Sequence, residues 1–142
     1  GETEPKAEYR TGNSVTYYKS LGDILGNPQY DAARANWGGS WRLPTVSECK
    51  ELLNKCTWTW MSQGGHNGYK VTGPNGNSIF LPAAGGRYGS SLRSAESYGN
   101  YWSSTPYESN TWNAYELYFY SNDYRVGWGT RDFGRSVRPV SE

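Results

Sequence analysis

Three side chains could support redox, metal or nucleophilic chemistry: Cys49, Cys56 and His66, the two cysteines and one histidine of the 142-residue chain. Their spacing does not match a zinc site, since His66 stands in the glycine-rich stretch Gly64-Gly65-His66-Asn67-Gly68 rather than in a Cys/His ligand motif. On a continuous helix the two cysteines would lie roughly 10 Å apart along the axis, too far for a disulfide. Both are therefore expected to be reduced and buried, unless the helix ends before Cys56 and lets them meet. No nucleophile, base and orienting group are arranged in a motif, and no carboxylates are paired at a recognisable spacing, so catalysis is not expected. The chemistry that recurs is that of contact. From Gly85 to Val140, tyrosine, tryptophan, arginine, asparagine and glycine are set between apolar and small residues. Tyr and Trp offer rigid area at low entropic cost, while Ser, Gly and Asn adapt.

The elements that must position these residues follow from local patterns. In Asn113–Ser121, Leu117 and Phe119 fall on one side of a strand, and Glu116, Tyr118 and Tyr120 on the other. A patch of Tyr118, Tyr120, Tyr124 and Trp128 is expected on the second side, and such patches mark interaction sites. The competing reading is a solvent-facing sheet steadied by aromatic cross-strand pairs. Asn27-Pro28 reads as an N-cap with proline at N1 of a first helix that Gly38-Gly39 stops. Thr45-Val46-Ser47-Glu48 is a capping box for a second, with Val46, Cys49, Leu52 and Leu53 on its buried face. After Cys56, Gly, Pro, Asn and Ser interrupt the chain every few residues, which indicates short strands and long ordered loops. Strands are predicted at Ser14–Tyr18, Thr57–Met61, Tyr69–Thr72, Ser78–Leu81, Asn100–Ser103, Ala114–Tyr120, Tyr124–Trp128 and Ser136–Val140. Gly73–Asn77 reads as a hairpin turn, and Ser121-Asn122-Asp123 as another. The fold class is α+β: two helices in the N-terminal half, then a mainly antiparallel sheet.

Length and a 35% hydrophobic content suit one globular domain, with residues 1–10 read as a linker or tag remnant and 11–142 as the domain. Aromatics reach 16%, with 13 Tyr and 7 Trp against 3 Phe, so most carry a polar tip and suit surfaces as well as cores. A formal net charge of +1 supplies no field for a nucleic acid backbone, so nucleic acid is not an expected partner. Nor does any run approach the ~20 apolar residues of a membrane-spanning helix. Arg42, Arg131 and Arg138 are expected to tie loops together, and Trp41 and Trp102 to lie in the core.

Four strings carry a resemblance: Trp37–Thr45, Ile79–Gly85, Tyr101–Thr105 and Gly134–Val140, in this order. Together they resemble the Fibrobacter succinogenes major paralogous domain, which is similar to the C-terminal domain of Legionella collagen-like protein. The resemblance runs from Tyr17 to Val140 and implies a C-type-lectin-like fold related to that of the formylglycine-generating enzyme. That enzyme's chemistry uses cysteines in the C-terminal part of the domain, and this chain has none after Cys56. Calcium lectins use Glu-Pro-Asn or Gln-Pro-Asp with Trp-Asn-Asp, and none of these occurs, so neither a metal nor a cofactor is expected.

The resemblance further implies a recognition module on the outer face of the outer membrane, or secreted, in a gut-type Bacteroidota bacterium, with any signal or lipid anchor outside these residues. It would be a monomer that binds a protein or glycan without calcium. Some such domains are targets of diversity-generating retroelements, which rewrite chosen codons near the end of the chain. Tyr101, Trp102, Ser103, Ser104, Ala114, Leu117, Phe119, Ser121, Val126, Arg131, Gly134, Ser136, Val137, Arg138 and Pro139 match the scaffold pattern. Between them lie the candidate ligand-binding positions Tyr88, Arg93, Glu96, Tyr98, Trp112, Glu116, Tyr118, Tyr120, Tyr124, Arg125, Trp128, Asp132 and Phe133. A structural or adhesive domain, such as a fimbrial tip or stalk unit, and an enzyme-like fold with an unrecognised substrate are the alternatives.

Overall fold

The computed structural model describes residues 21–141 and is α+β, with two helices followed mostly by antiparallel strands. The predicted strand Ser14–Tyr18 and the boundary at residue 10 lie outside the described residues.

Helix α1 spans Ala32–Trp37, and its N-cap is Asp31 rather than Asn27. The Asp31 carboxylate accepts from the amides of Ala33 and Arg34 at 2.9 and 3.1 Å, from Gly26 at 2.8 Å, and from Leu43 at 3.0 Å. Asn27 instead closes a turn, its side chain accepting from the Gln29 amide at 2.9 Å. Both residues are capable caps, and the Asp31 carboxylate in addition ties Leu43, the residue after strand β1, Trp41–Arg42, to the helix start. Gly38, with φ +65°, ends α1 as expected.

The capping box of α2, Val46–Lys55, forms as read: Thr45 Oγ1 accepts from the Glu48 amide at 3.1 Å, and Glu48 Oε2 from the Thr45 amide at 2.8 Å. Arg42 donates both terminal nitrogens to the same carboxylate at 2.9 and 2.7 Å, which bears out a tying role for this arginine. The helix ends at Lys55, and both cysteines are free, Cys49 buried and Cys56 half-buried.

Strands β2, Thr57–Gln63, β3, His66–Thr72, and β4, Ser78–Pro82, form one antiparallel sheet. Gly73–Asn77 is the turn between its last two strands, with Gly76 at φ +83°. A short hairpin, β5, Gly86–Tyr88, with β6, Ser91–Arg93, has no counterpart among the predicted strands. A second three-stranded antiparallel sheet comprises β7, Tyr98–Pro106, β8, Asn113–Tyr120, and β9, Asp123–Thr130. Of the predicted strand Ser136–Val140, Ser136 makes a parallel bridge with Tyr101, and regular pairing is confined to β10, Val140–Ser141, against β1.

The core lies between α2 and the two larger sheets: Cys49, Trp58, Tyr69, Val71, Leu81, Ala83, Tyr101, Leu117 and Phe119. Phe119 is fully buried, with Trp58, Trp60 and Tyr69 edge-on and Tyr101 stacked at 5.9 Å. Burial of such a ring contributes ~1.5–3 kcal/mol. A Cβ at Gly99, its cross-strand partner, would overlap the Cζ edge of the ring. Trp41, expected in the core, is 42% exposed, because β1 is a two-residue strand whose other residue, Arg42, takes the buried side.

The four strings noted in the sequence meet in space. Strand β1 pairs with β10, the Ser104 amide donates to Pro44 O at 2.9 Å, and the Tyr101 hydroxyl donates to Pro82 O at 2.7 Å. The Ser136 amide donates to Asn100 O at 2.9 Å, and the Trp102 amide to Ser136 O at 3.1 Å.

Candidate functional site

The second large sheet has one face in the core and one outside. Which residues point outward follows from the register: Tyr120 opposes Asp123, so Tyr118 opposes Arg125 and Phe119 opposes Tyr124. Directly opposed residues share a face. Tyr98, Tyr118, Tyr120 and Arg125 therefore lie on the outer side, while Tyr124 and Trp128 lie on the side of Phe119 and Tyr115. The expected patch joining Tyr118, Tyr120, Tyr124 and Trp128 does not form. Tyr124 stacks on Trp58 at 4.8 Å, and Trp128 on Tyr107 at 5.3 Å, both at the margins of the core face.

On the outer face the tyrosines gather at one end of the sheet. Tyr98 stacks on Tyr118 at 5.7 Å and leans on Tyr120 at 5.6 Å. The Arg125 guanidinium covers the Tyr118 ring at 5.2 Å, a cation–π contact, and also reaches Asp123 at 3.5 Å. Burial, and then the neighbouring Tyr98 phenol, push the Tyr118 hydroxyl above its ordinary pKa.

Beside these rings is a cleft of about 310 Å³, lined by Gly86, Arg93, Ser94, Tyr98, Asn100, Glu116, Tyr118, Phe133 and Arg135. Its floor corrects the reading of Glu116 as an exposed contact residue. Glu116 is 5% exposed: the segment after β9 crosses to β7, which it bridges at Ser136, and brings Arg135 against the carboxylate. Asn100 Nδ2 donates to Glu116 Oε1 at 3.0 Å, and Arg135 Nε approaches Oε2 to 3.0 Å, an ion pair set off the line of a good hydrogen bond. Burial raises the Glu116 carboxyl pKa, opposed by the Arg135 charge and the Asn100 hydrogen bond. Room for the pair comes from the facing strand, where a Cβ at Gly129 would stand 3.0 Å from both Glu116 Oε2 and Arg135 Nη2.

The far wall is sewn by backbone. The Arg87 amide donates to Gly134 O at 2.7 Å, and the Gly134 amide to Arg87 O at 2.8 Å, which joins the β5–β6 hairpin to the crossing segment. Tyr88 packs on Phe133 at 4.9 Å, Arg93 lies over Tyr88 at 5.7 Å, and Arg135 lies over Phe133 at 4.8 Å. A second cleft, also about 310 Å³, shares Tyr98 and continues past it between Trp60, Asn67, Glu96, Tyr120 and Ser121.

Five of the candidate residues thus line one cleft: Arg93, Tyr98, Glu116, Tyr118 and Phe133. Tyr88, Tyr120 and Arg125 flank it, and Asp132 is exposed on the crossing segment. Glu96 lines the second cleft as part of a clamp. His66 Nδ1 lies 2.7 Å from its Oε1, and the Asn67 amide donates to its Oε2 at 2.7 Å, which holds Glu96 at φ +65°. Trp112 sits at the far end of β8, in the loop where Arg131 donates to Thr111 O at 2.8 Å. A hollow of about 340 Å³ near that loop, between Leu21, Ile24, Tyr107 and Ala114, contains none of the candidates. Asn100 and Arg135 were not among them. The available signal is the spacing of Gly127 and Gly129, two glycines on one side of a strand, which marks a place where a bulky group approaches the backbone.

The cleft offers two guanidinium groups, one carboxyl, one amide and three aromatic rings, a set suited to hydrogen bonding and stacking. Among the described residues, no group of three or more His, Cys, Asp and Glu is gathered as a metal site would require, and no helix is long and apolar enough to cross a membrane. Comparison with protein-family models, with curated proteins and with solved structures gave no match, so the functional reading rests on the geometry of this face.

Proposed function

We propose that this chain is a non-enzymatic recognition module with a C-type-lectin-like fold, displayed at a bacterial cell surface and binding a protein or glycan as a monomer. The binding surface is the outer face of the β7–β8–β9 sheet. The observation that carries this reading is the ring of Tyr98, Tyr118 and Phe133 around a cleft whose polar floor is already ordered. A floor held in place costs little further ordering on binding.

The lectin-like reading draws support from the meeting of the four strings, since residues far apart in sequence serve as one frame. The positions between them at the cleft are the ones a retroelement could rewrite without touching that frame.

The test is a glycan and surface-protein array probed with the wild type and with Tyr98→Ala/Tyr118→Ala. Signals seen with the wild type should vanish with the double variant. Binding that survives it would place recognition elsewhere. Self-association lost in the same variant, measured by light scattering, would favour a structural or adhesive packing domain.

A further inference from the structure

Arg135 is built into the cleft in an unusual way. Its side chain is 15% exposed, and Nε is engaged by Glu116. The two terminal nitrogens lie between glycine backbones: a Cβ at Gly86 would stand 2.9 Å from Nη1, and one at Gly129 would stand 3.0 Å from Nη2. A side chain on either would press on the guanidinium, so two glycines keep a slot for it. Among the described residues, neither terminal nitrogen donates a hydrogen bond. A guanidinium has five N–H donors in a planar fork that matches a carboxylate, and here the outer part of the fork is unused. Arg93 lines the same cleft, so two cations face the single carboxyl of Glu116.

From this arrangement, and resting on the recognition reading above, we infer that the cleft binds a carboxylate-bearing sugar, with the carboxylate on Arg135 and Arg93 and the ring against Tyr98 and Tyr118. The floor sets the direction. The outer nitrogens of Arg135, with Arg93, attract an anion, whereas on the floor the Glu116 carboxyl, held by Asn100 and by Arg135 Nε, offers Oε1 as an acceptor that suits a hydroxyl group. An acidic sugar has both ends on one small ring. An Asp or Glu side chain from a protein partner has the first end and lacks the second. The volume of about 310 Å³ lies at the small end of ligand pockets, the size of one sugar residue, and the neighbouring cleft beyond Tyr98 leaves space for the next.

The experiment titrates the whole chain, by calorimetry and saturation-transfer NMR, with D-glucuronate, N-acetylneuraminate, D-glucose, acetate and a peptide rich in Asp and Glu. One or both acidic sugars should bind roughly tenfold or more tightly than glucose, acetate or the peptide. That binding should weaken at high salt. Arg135→Lys, which keeps the charge and removes the fork, and Arg93→Gln should each weaken it by about tenfold. Lys70→Gln, at an exposed position on β3, should leave it unchanged. Should Arg135→Lys fail to fold by circular dichroism, the exposed Arg93→Gln carries the test. Equal binding of glucose or of the peptide, indifference to Arg93→Gln, or no binding of either acidic sugar overturns the inference. The fate of the recognition reading is separate: if array ligands are lost on Tyr98→Ala/Tyr118→Ala the face still binds, and if they are not, both readings fail.

Discussion

Replacing Glu48 separates the frame from the proposed binding face. Glu48 closes the capping box of α2 and receives both terminal nitrogens of Arg42, whose side chain is 11% exposed against 39% for Glu48. These contacts, the Arg42 hydrogen bond first, hold its carboxyl at about 2, well below the ordinary 4.5. Fully expressed, such a shift would correspond to ~3 kcal/mol, and the partial exposure of Glu48 reduces it to about 2 kcal/mol. Glu48→Gln keeps a side-chain carbonyl for the Thr45 amide and loses the charge, so it should cost about 2 kcal/mol at neutral pH. Glu48→Ala should cost ~1 kcal/mol more as the cap is lost as well. A folded-state pKa below the unfolded value places this contribution above pH 4.5, with loss as the pH falls toward 2. Urea denaturation of wild type and Glu48→Gln at a series of pH values should show a gap that narrows steadily below pH 4.5. Where the proteins are folded, ligand binding at the outer face should be equal. A gap that stays constant into acid, or is absent at neutral pH, would refute the assignment of this stability to the Arg42–Glu48 charge pair.

Gly99→Ala should lower stability by ~1–3 kcal/mol through overpacking against Phe119, measured by thermal melting; an unchanged midpoint would mean the ring has room to move. Tyr124→Ala and Trp128→Ala should reduce stability and leave ligand binding intact, whereas Tyr118→Ala should do the reverse; calorimetry with melting curves distinguishes them, and equal loss of binding in all three would contradict the β8–β9 register. Glu96 has its carboxyl pKa lowered by His66 first and then by the Asn67 amide, so its contribution is present above the ordinary carboxylate range and lost in acid. NMR titration should find that His66→Asn moves the Glu96 pKa upward, and no movement would remove His66 from the clamp.

What was legible in the sequence was local. The capping box at Thr45 and the Asn75-Gly76 turn each use a few adjacent residues, and both appear where their chemistry places them. The inward side of β8 was legible because Leu117 and Phe119 alternate with polar residues. The facing strand failed on a single residue. A turn of Ser121, Asn122 and Asp123 would set Tyr120 opposite Tyr124, and would send Tyr124 and Trp128 outward. The actual turn has two residues, Tyr120 meets Asp123, and every side chain of β9 changes sides. Alternation places Glu116 outside because it cannot register a cover supplied by a segment some twenty residues on, and Arg135, though within the string Gly134–Val140, belongs to neither the scaffold set nor the contact set. The cleft thus depended on tertiary placement, while the elements beneath it depended on their own residues.

The paired main-chain bonds between Arg87 and Gly134 bear on how this surface can change. Every residue except proline carries the same amide and carbonyl, so a wall joined by them keeps its course when the neighbouring side chains are exchanged. The cost of novelty at Tyr88, Asp132 or Phe133 is then set by local packing rather than by the fold. Under the recognition reading proposed above, exchanges at these positions would alter the ligand and leave the architecture intact.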